Sequence, residues 1–214
     1  MTQEYKYGEL EDWGDVDVQS GAGYMKLTEG DNVVRIISKP FQFSVCWIKD
    51  AQGVPRKVRS ALKSNCPLIK RGEKLQKRWY LGVIDRRSGG ARILEVSSQI
   101  MGGLKDLALD DDWGSPLHYD VNIKRMAPGS QPLYRPIAKP KKPLTQEEAM
   151  LAERFNSDTD FVKMTQPPTA EEVSERLAAI EGGQSSNQGG QGRSGGGGKP
   201  AVDSSLFSYD DEKL

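Results

Sequence analysis

The chain has 214 residues, 36% of them hydrophobic, and its 30 Lys/Arg balance 30 Asp/Glu to a formal net charge of zero. That length gives room for one sizeable domain with appendages, and no apolar run approaches the ~20 residues of a membrane-crossing helix. Two cysteines, Cys46 and Cys66, make no disulfide framework and fit a reduced, cytosol-like compartment.

The charge is segregated. Residues 1–32 hold 2 Lys/Arg and 8 Asp/Glu, residues 33–144 hold 22 and 9, and residues 145–214 hold 6 and 13. Residues 39–92 alone carry 14 basic and 3 acidic side chains. A basic middle between acidic ends points to a polyanion-binding core screened by its own tails.

In chain order, residues 1–30 are an acidic arm with Tyr5, Tyr7 and Trp13, expected to be loosely held; without an apolar h-region it does not read as a signal peptide. From residue 31 the pattern turns to strands. Val33–Ile37 is β-rich, and Phe41–Trp47 alternates bulky and polar residues over its first half. Asp50–Gly53 reads as a turn, and Val54–Ser60 as a basic strand or loop. Cys66–Arg78 starts as a short helix, with Ser64 or Asn65 as N-cap and Pro67 in its first turn. Trp79–Asp85 is a strand, and Ser88-Gly89-Gly90 turns it into Arg92–Val96. Ser97 or Ser98 caps a helix carrying Ile100, Leu104 and Leu107. Asp110–Pro116 ends it. His118–Met126 is a strand with Tyr119, Val121 and Ile123 on one face, and Pro128-Gly129 turns it into Leu133–Ala138.

Residues 31–144 therefore form the expected core. The fold class is mainly β: an oligonucleotide-binding type, five-stranded Greek-key barrel with short helices. Regular helices do not separate the strands, which argues against a parallel α/β sheet. Residues 145–181 give two acidic helices, each opened by a capping box, Thr145–Glu148 and Thr169–Glu172, and the second places Val173, Leu177 and Ile180 on one stripe. They are expected to dock on the barrel. Residues 182–200, GGQSSNQGGQGRSGGGGKP, lack any large apolar residue and read as a disordered linker. Residues 201–214 form an acidic-aromatic tip whose Leu206, Phe207, Tyr209, Asp210, Asp211 and Glu212 are candidate partner-binding residues.

Catalysis finds little support, and no enzyme is expected. There is no Gly-x-Ser-x-Gly, no phosphate-cradling Gly-x-x-x-x-Gly-Lys-Ser/Thr and no His-Glu-x-x-His. The single histidine, His118, falls in a strand pattern. Tetrahedral zinc takes four Cys/His ligands, usually closely paired, and Cys46, Cys66 and His118 stand far apart in sequence, so neither metal nor cofactor is expected.

Nucleic-acid binding has its ingredients. Single-strand binders combine a basic groove with aromatic faces on which bases stack. Here Trp47 precedes Arg56, Lys57 and Arg59. Lys77 and Arg78 abut Trp79. Arg86 and Arg87 stand at a hairpin, and Arg125, Tyr134 and Arg135 at another. These cations are candidate phosphate contacts, and Trp47, Trp79 and Tyr134 are candidate stacking platforms. Lys139–Pro143 either tracks the backbone or is a stiff solvated linker.

The order of several segments resembles the phage replicative single-stranded-DNA-binding proteins, the helix-destabilising proteins of the T-even type. The carriers are Gly30–Ile36, Asn65–Ile69, Trp79–Asp85, Ile93–Leu107 and Tyr119–Lys124, together with the acidic tail. The resemblance implies a core that coats single-stranded DNA in replication, recombination and repair, inside the host cytoplasm if the chain is viral. It implies a C-terminus that recruits replication and recombination proteins and competes with DNA for the basic cleft. Two departures stand out. Cys66-Pro67 matches part of the family's zinc module, but Ile69 stands where the next ligand belongs, so an apolar side chain is expected to replace the metal by packing. The N-terminal arm is acidic where the family's is basic, which puts that route to self-association on DNA in doubt. Two other classes stay open: an adaptor whose basic surface meets an acidic protein, and a nuclease subunit using Asp110–Asp112 with magnesium.

Overall fold

The computed structural model describes residues 23–62 and 65–182. Most of the N-terminal arm, the linker beyond residue 182 and the acidic tip lie outside the described residues. The fold is mainly β. The strands are β1 (Tyr24–Met25), β2 (Val33–Ile36), β3 (Phe41–Lys49), β4 (Pro55–Arg59), β5 (Gln76–Asp85), β6 (Ala91–Val96), β7 (Tyr119–Arg125) and β8 (Tyr134–Lys141). The helices are α1 (Pro67–Lys70), α2 (Ser98–Leu109), α3 (Gln146–Asp158), α4 (Phe161–Thr165) and α5 (Ala170–Glu181).

The sheet is organised around β5. Along one side of it, β2 and β3 lie end to end: Ile36 faces Val83, and Phe41 faces Tyr80. Residues 37–40 make the bend between them, and Gly82 anchors it. The Gly82 N–H donates to Ser38 Oγ at 2.7 Å, while its carbonyl accepts from the Ile37 N–H at 2.9 Å. Beyond β5, β3 runs on to pair with β4. On the other side of β5 lies β6, extended by a parallel pairing with β1. β7 pairs with β2, and β8 with β7. No ladder joins β6 to β8 among the described residues, so the mixed sheet is open. α2 packs against strands on both sides of this gap. Its Gly103 rests so close to Pro136 that a Cβ there would stand 2.9 Å from the proline ring.

Strand alternation sends one set of side chains inward. Val34, Ile36, Leu81, Val83, Leu94, Val96, Val121 and Ile123 form the main core with Ile100 and Leu104 of α2. The opposite, outer face of the sheet carries α3 and α4: their Phe155 and Phe161 join Phe43, Val45, Tyr80 and Ile93. α5 takes the other side of the β3–β4 extension, because Cys46, Ile48 and Val58 alternate away from Val45. There Val173, Leu177 and Ile180 pack with those three residues and with Cys66 and Leu68 of the α1 segment. Both capping boxes form, satisfying backbone donors that a helix start leaves open.

One ion-pair network ties β2, β7 and the β5–β6 hairpin to α3. Arg35 is buried; its Nε reaches Asp120 Oδ1 at 2.7 Å and another of its nitrogens the Lys142 carbonyl at 2.6 Å. Arg86 grips both Asp120 oxygens at 2.9 Å and also holds Glu148 at the start of α3. Burial by itself raises the Asp120 carboxyl, but the two guanidiniums outweigh it and hold it below the usual carboxylate value. The hydrogen bond from Arg86 does the same to Glu148.

Several expectations are corrected. The described residues form eight strands in an open sheet where a five-stranded barrel is expected: residues 24–25 join the sheet, and 55–59, read as strand or loop, pairs as a strand. Cys66 is the N-cap of α1, ahead of Pro67. Leu68 is the residue buried there at 0% exposure, whereas Ile69 is 40% exposed, so Ile69 does not pack in place of a metal. His118 closes an exposed turn of 3-10 helix before β7 instead of lying in a strand. β8 runs through Lys141, so much of the basic linker is an edge strand. α4 is an element the sequence pattern does not announce.

Candidate nucleic-acid interface

The register of β3 determines which candidates meet. Trp47 pairs with Lys57, Val45 with Arg59 and Phe43 with Arg78. Residues two apart share a face, so Trp47, Lys57, Arg59 and Arg78 lie together on the outer face, beside Phe41, Phe43 and Tyr80. Arg59 stands over the Phe43 ring with its guanidinium carbon 5.0 Å from the centroid, a cation–π placement. The Phe43 and Tyr80 rings are 4.3 Å apart, and Tyr24 meets Tyr80 edge-on at 5.8 Å. Phe43 and Tyr80 are buried with Phe155 and Phe161, and of the three rings Phe43, Tyr80 and Tyr24 only Tyr24, 55% exposed, reaches the surface beside β6. Burial, then the Tyr24 hydroxyl, push the Tyr80 hydroxyl above its ordinary pKa and keep it neutral.

The cations here are incompletely satisfied. Arg59 donates to the Met164 carbonyl, and Arg78 donates to Gln76 Oε1 at 2.9 Å. The Nε–H of each is shielded from solvent and has no hydrogen-bond partner among the described residues. Buried donors are nearly always paired, by protein or by ordered water, so these two guanidiniums keep donor capacity on one face that no protein group among the described residues takes up. A guanidinium presents Nε–H and a terminal N–H as a fork that fits two phosphate oxygens. Lys57 pairs with Glu95 Oε2 at 2.6 Å. Both partners are partly exposed, and such a pair contributes only ~0–1 kcal/mol, so a phosphate can displace the carboxylate at little cost.

The remaining candidates lie elsewhere. Arg56, Lys77 and Trp79 alternate to the opposite side from this cluster; Arg56 pairs with Asp50 Oδ2 at 2.8 Å, and Trp79 packs half-buried on the main core. Trp79 follows Leu81 and Val83 inward, and its neighbour Tyr80 takes the outer face. Tyr134 also packs on the main core. Arg125, its register partner, donates to the Leu27 carbonyl at 2.9 Å. Arg135 is exposed on the far edge strand. Arg87 holds Asp85 at 3.4 Å and Thr28 Oγ1 at 2.9 Å. Arg86 is already engaged within the protein: its Nε and both terminal nitrogens face Asp120 and Glu148. Leu206, Phe207, Tyr209, Asp210, Asp211 and Glu212 lie outside the described residues.

Sequence reasoning misses Phe43, Tyr80 and Tyr24 as site residues. A signal exists for two of them: the two-residue period from Phe41 through Val45, and the opposed directions of Trp79 and Tyr80. Asp110 accepts the backbone N–H of Asp112 at 2.9 Å and of Trp113 at 3.3 Å, the pattern of a turn. Among the described residues no three Cys, His, Asp or Glu side chains gather as a metal cage, and no helix is long and apolar enough to cross a membrane. No protein-family model and no curated protein matches the chain.

Proposed function

We propose that this protein binds single-stranded DNA without sequence preference, along the outer face of β3, β4 and β5. The observation that carries the reading is the pair of orphan Nε–H donors of Arg59 and Arg78 flanking an aromatic row. Phosphates supply the missing acceptors, and the rings that reach the surface of this face, Tyr24 with the partly exposed Phe41 and Trp47, stack with any base and give sequence tolerance, at ~1–3 kcal/mol per base. The connectivity supports it too. Counted as one bent strand, β2 and β3 join β5, β6, α2, β7 and β8 in the order of an oligonucleotide-binding Greek key, with β1, β4 and the other helices as additions. In this reading the protein coats exposed strands during replication, recombination and repair, as the resemblance to the T-even-type phage proteins implies, and the tip from Leu206 to Glu212 recruits partners.

The test is fluorescence anisotropy of labelled oligo-dT with wild type and with Arg59→Ala/Arg78→Ala. The expected result is a loss of affinity of roughly tenfold or more in the variant, the scale of one charge-assisted contact. Equal affinity in the two proteins contradicts this face as the site.

A further inference from the structure

Phe161 of α4 lies flat on Phe41, the centroids 4.8 Å apart and the planes 8° apart. Three residues on, the Met164 carbonyl takes a hydrogen bond from Arg59. A flat ring on an aromatic floor and an oxygen on a guanidinium, joined by a short backbone, are what one unstacked nucleotide presents through its base and phosphate. We propose that α4 occupies a nucleotide subsite floored by Phe41 and closed by Arg59, and that a single strand binds there by displacing it. This deepens the single-strand reading and rests on it.

The contacts around α4 suit a displaceable plug. Phe161 is its only buried residue, and Val162 is 71% exposed. Its neighbours have anchors of their own, although Phe155 of α3 also touches Phe161, the ring centroids 6.1 Å apart. α3 is held by Phe155 over Gly82 and by Glu148 on Arg86, and α5 by Val173, Leu177 and Ile180. Displacement requires residues 159–169, which join α3 to α5, to rearrange as one segment while α3 and α5 stay docked. A groove of about 460 Å³ already opens beside the stacked pair, lined by Ile37, Lys39, Phe41, Asp160 and Val162. Lys39 on its rim forms no ion pair with a described residue. The Met164 carbonyl leaves the Arg59 Nε–H unmet, whereas a phosphate fills both positions of the fork. The incoming strand therefore makes the better partner, and the plug sets a threshold against weaker ligands.

Asp160 gives a clean handle. It is exposed, and its side chain caps α4 by accepting the Lys163 N–H at 2.8 Å. Asp160→Ala removes cap and charge; Asp160→Asn removes the charge and keeps a capping side chain. The experiment measures oligo-dT affinity of wild type and both variants at one salt concentration, with amide hydrogen exchange of wild type with and without oligo-dT. The plug predicts that Asp160→Ala binds about fivefold more tightly than Asp160→Asn, the factor that ~1 kcal/mol of capping amounts to. It also predicts that the Met164 amide, bonded to the Asp160 carbonyl, loses protection when the strand binds, while α3 and α5 keep theirs. Equal affinities of the two variants, or a Met164 amide that gains protection, overturns the plug and leaves the single-strand reading intact. Failure of all three proteins to bind oligo-dT overturns that reading, and the plug with it.

Discussion

Phe155 of α3 lies directly on Gly82 of β5: a Cβ added to that glycine would stand 2.9 Å from the ring edge and 3.2 Å from Ser38 Cβ. The absence of a side chain at this one position lets the bend between β2 and β3 and the helix α3 meet on the same strand. Gly82→Ala must therefore shift either α3 or the bend. Overpacking of this kind costs ~1–3 kcal/mol. A urea denaturation midpoint that falls in Gly82→Ala, and recovers in part when Phe155→Leu is added, is the expected outcome; an unchanged midpoint contradicts the close approach.

The Arg35–Asp120–Arg86–Glu148 network makes stability pH-dependent with a definite sign. Asp120 and Glu148 have folded values below their unfolded ones, so their contribution is complete above about pH 4.5 and is lost as pH falls through the lowered values. Asp120→Asn is expected to be less stable than wild type by about 3 kcal/mol at pH 7, since it leaves a buried arginine without its counter-charge. Thermal unfolding across the acid range, from neutral pH downwards, should show that gap narrowing towards the acid end.

The α1 segment gives a sharp contrast between adjacent residues. Leu68→Ala removes a fully buried side chain and should cost ~2–5 kcal/mol, while Ile69→Ala, at an exposed position, should stay within ~0.5 kcal/mol. Chemical denaturation of the two variants side by side checks it.

Burial, and then the neighbouring Glu73, push the Cys46 thiol up to about 11. A raised value keeps the thiol protonated at about pH 8, and the thiolate is the reactive form. Native protein treated with iodoacetamide at that pH should leave Cys46 unmodified by peptide mass analysis, and unfolding in urea should release it.

Much of the fold is legible in the sequence because periodicity is local. The two-residue alternation at Tyr119, Val121 and Ile123 and the capping boxes at Thr145 and Thr169 need no distant partner to be recognised. What stays hidden depends on register. Nothing in the sequence says that Phe43 pairs with Arg78, or that Arg59, from a different strand, stands over the same ring. The cations also carry no local mark of whether a carboxylate already holds them. Arg86 and Arg59 read alike as basic residues beside a strand, yet one is taken by Asp120 and Glu148 from distant segments and the other keeps an orphan donor. α4 escapes because its five residues are too few to show a helical period.

The central claim is a positively charged, ring-lined face that takes unpaired strands. The most direct measurement is oligo-dT affinity across a salt series, with duplex of equal length beside it. Neutralising a single strand gives a log–log slope of about −0.7 per phosphate, so Lys57, Arg59 and Arg78 together predict a slope of about −2 or steeper, with oligo-dT bound more tightly than duplex. A flat salt dependence, or equal affinity for duplex, contradicts the account.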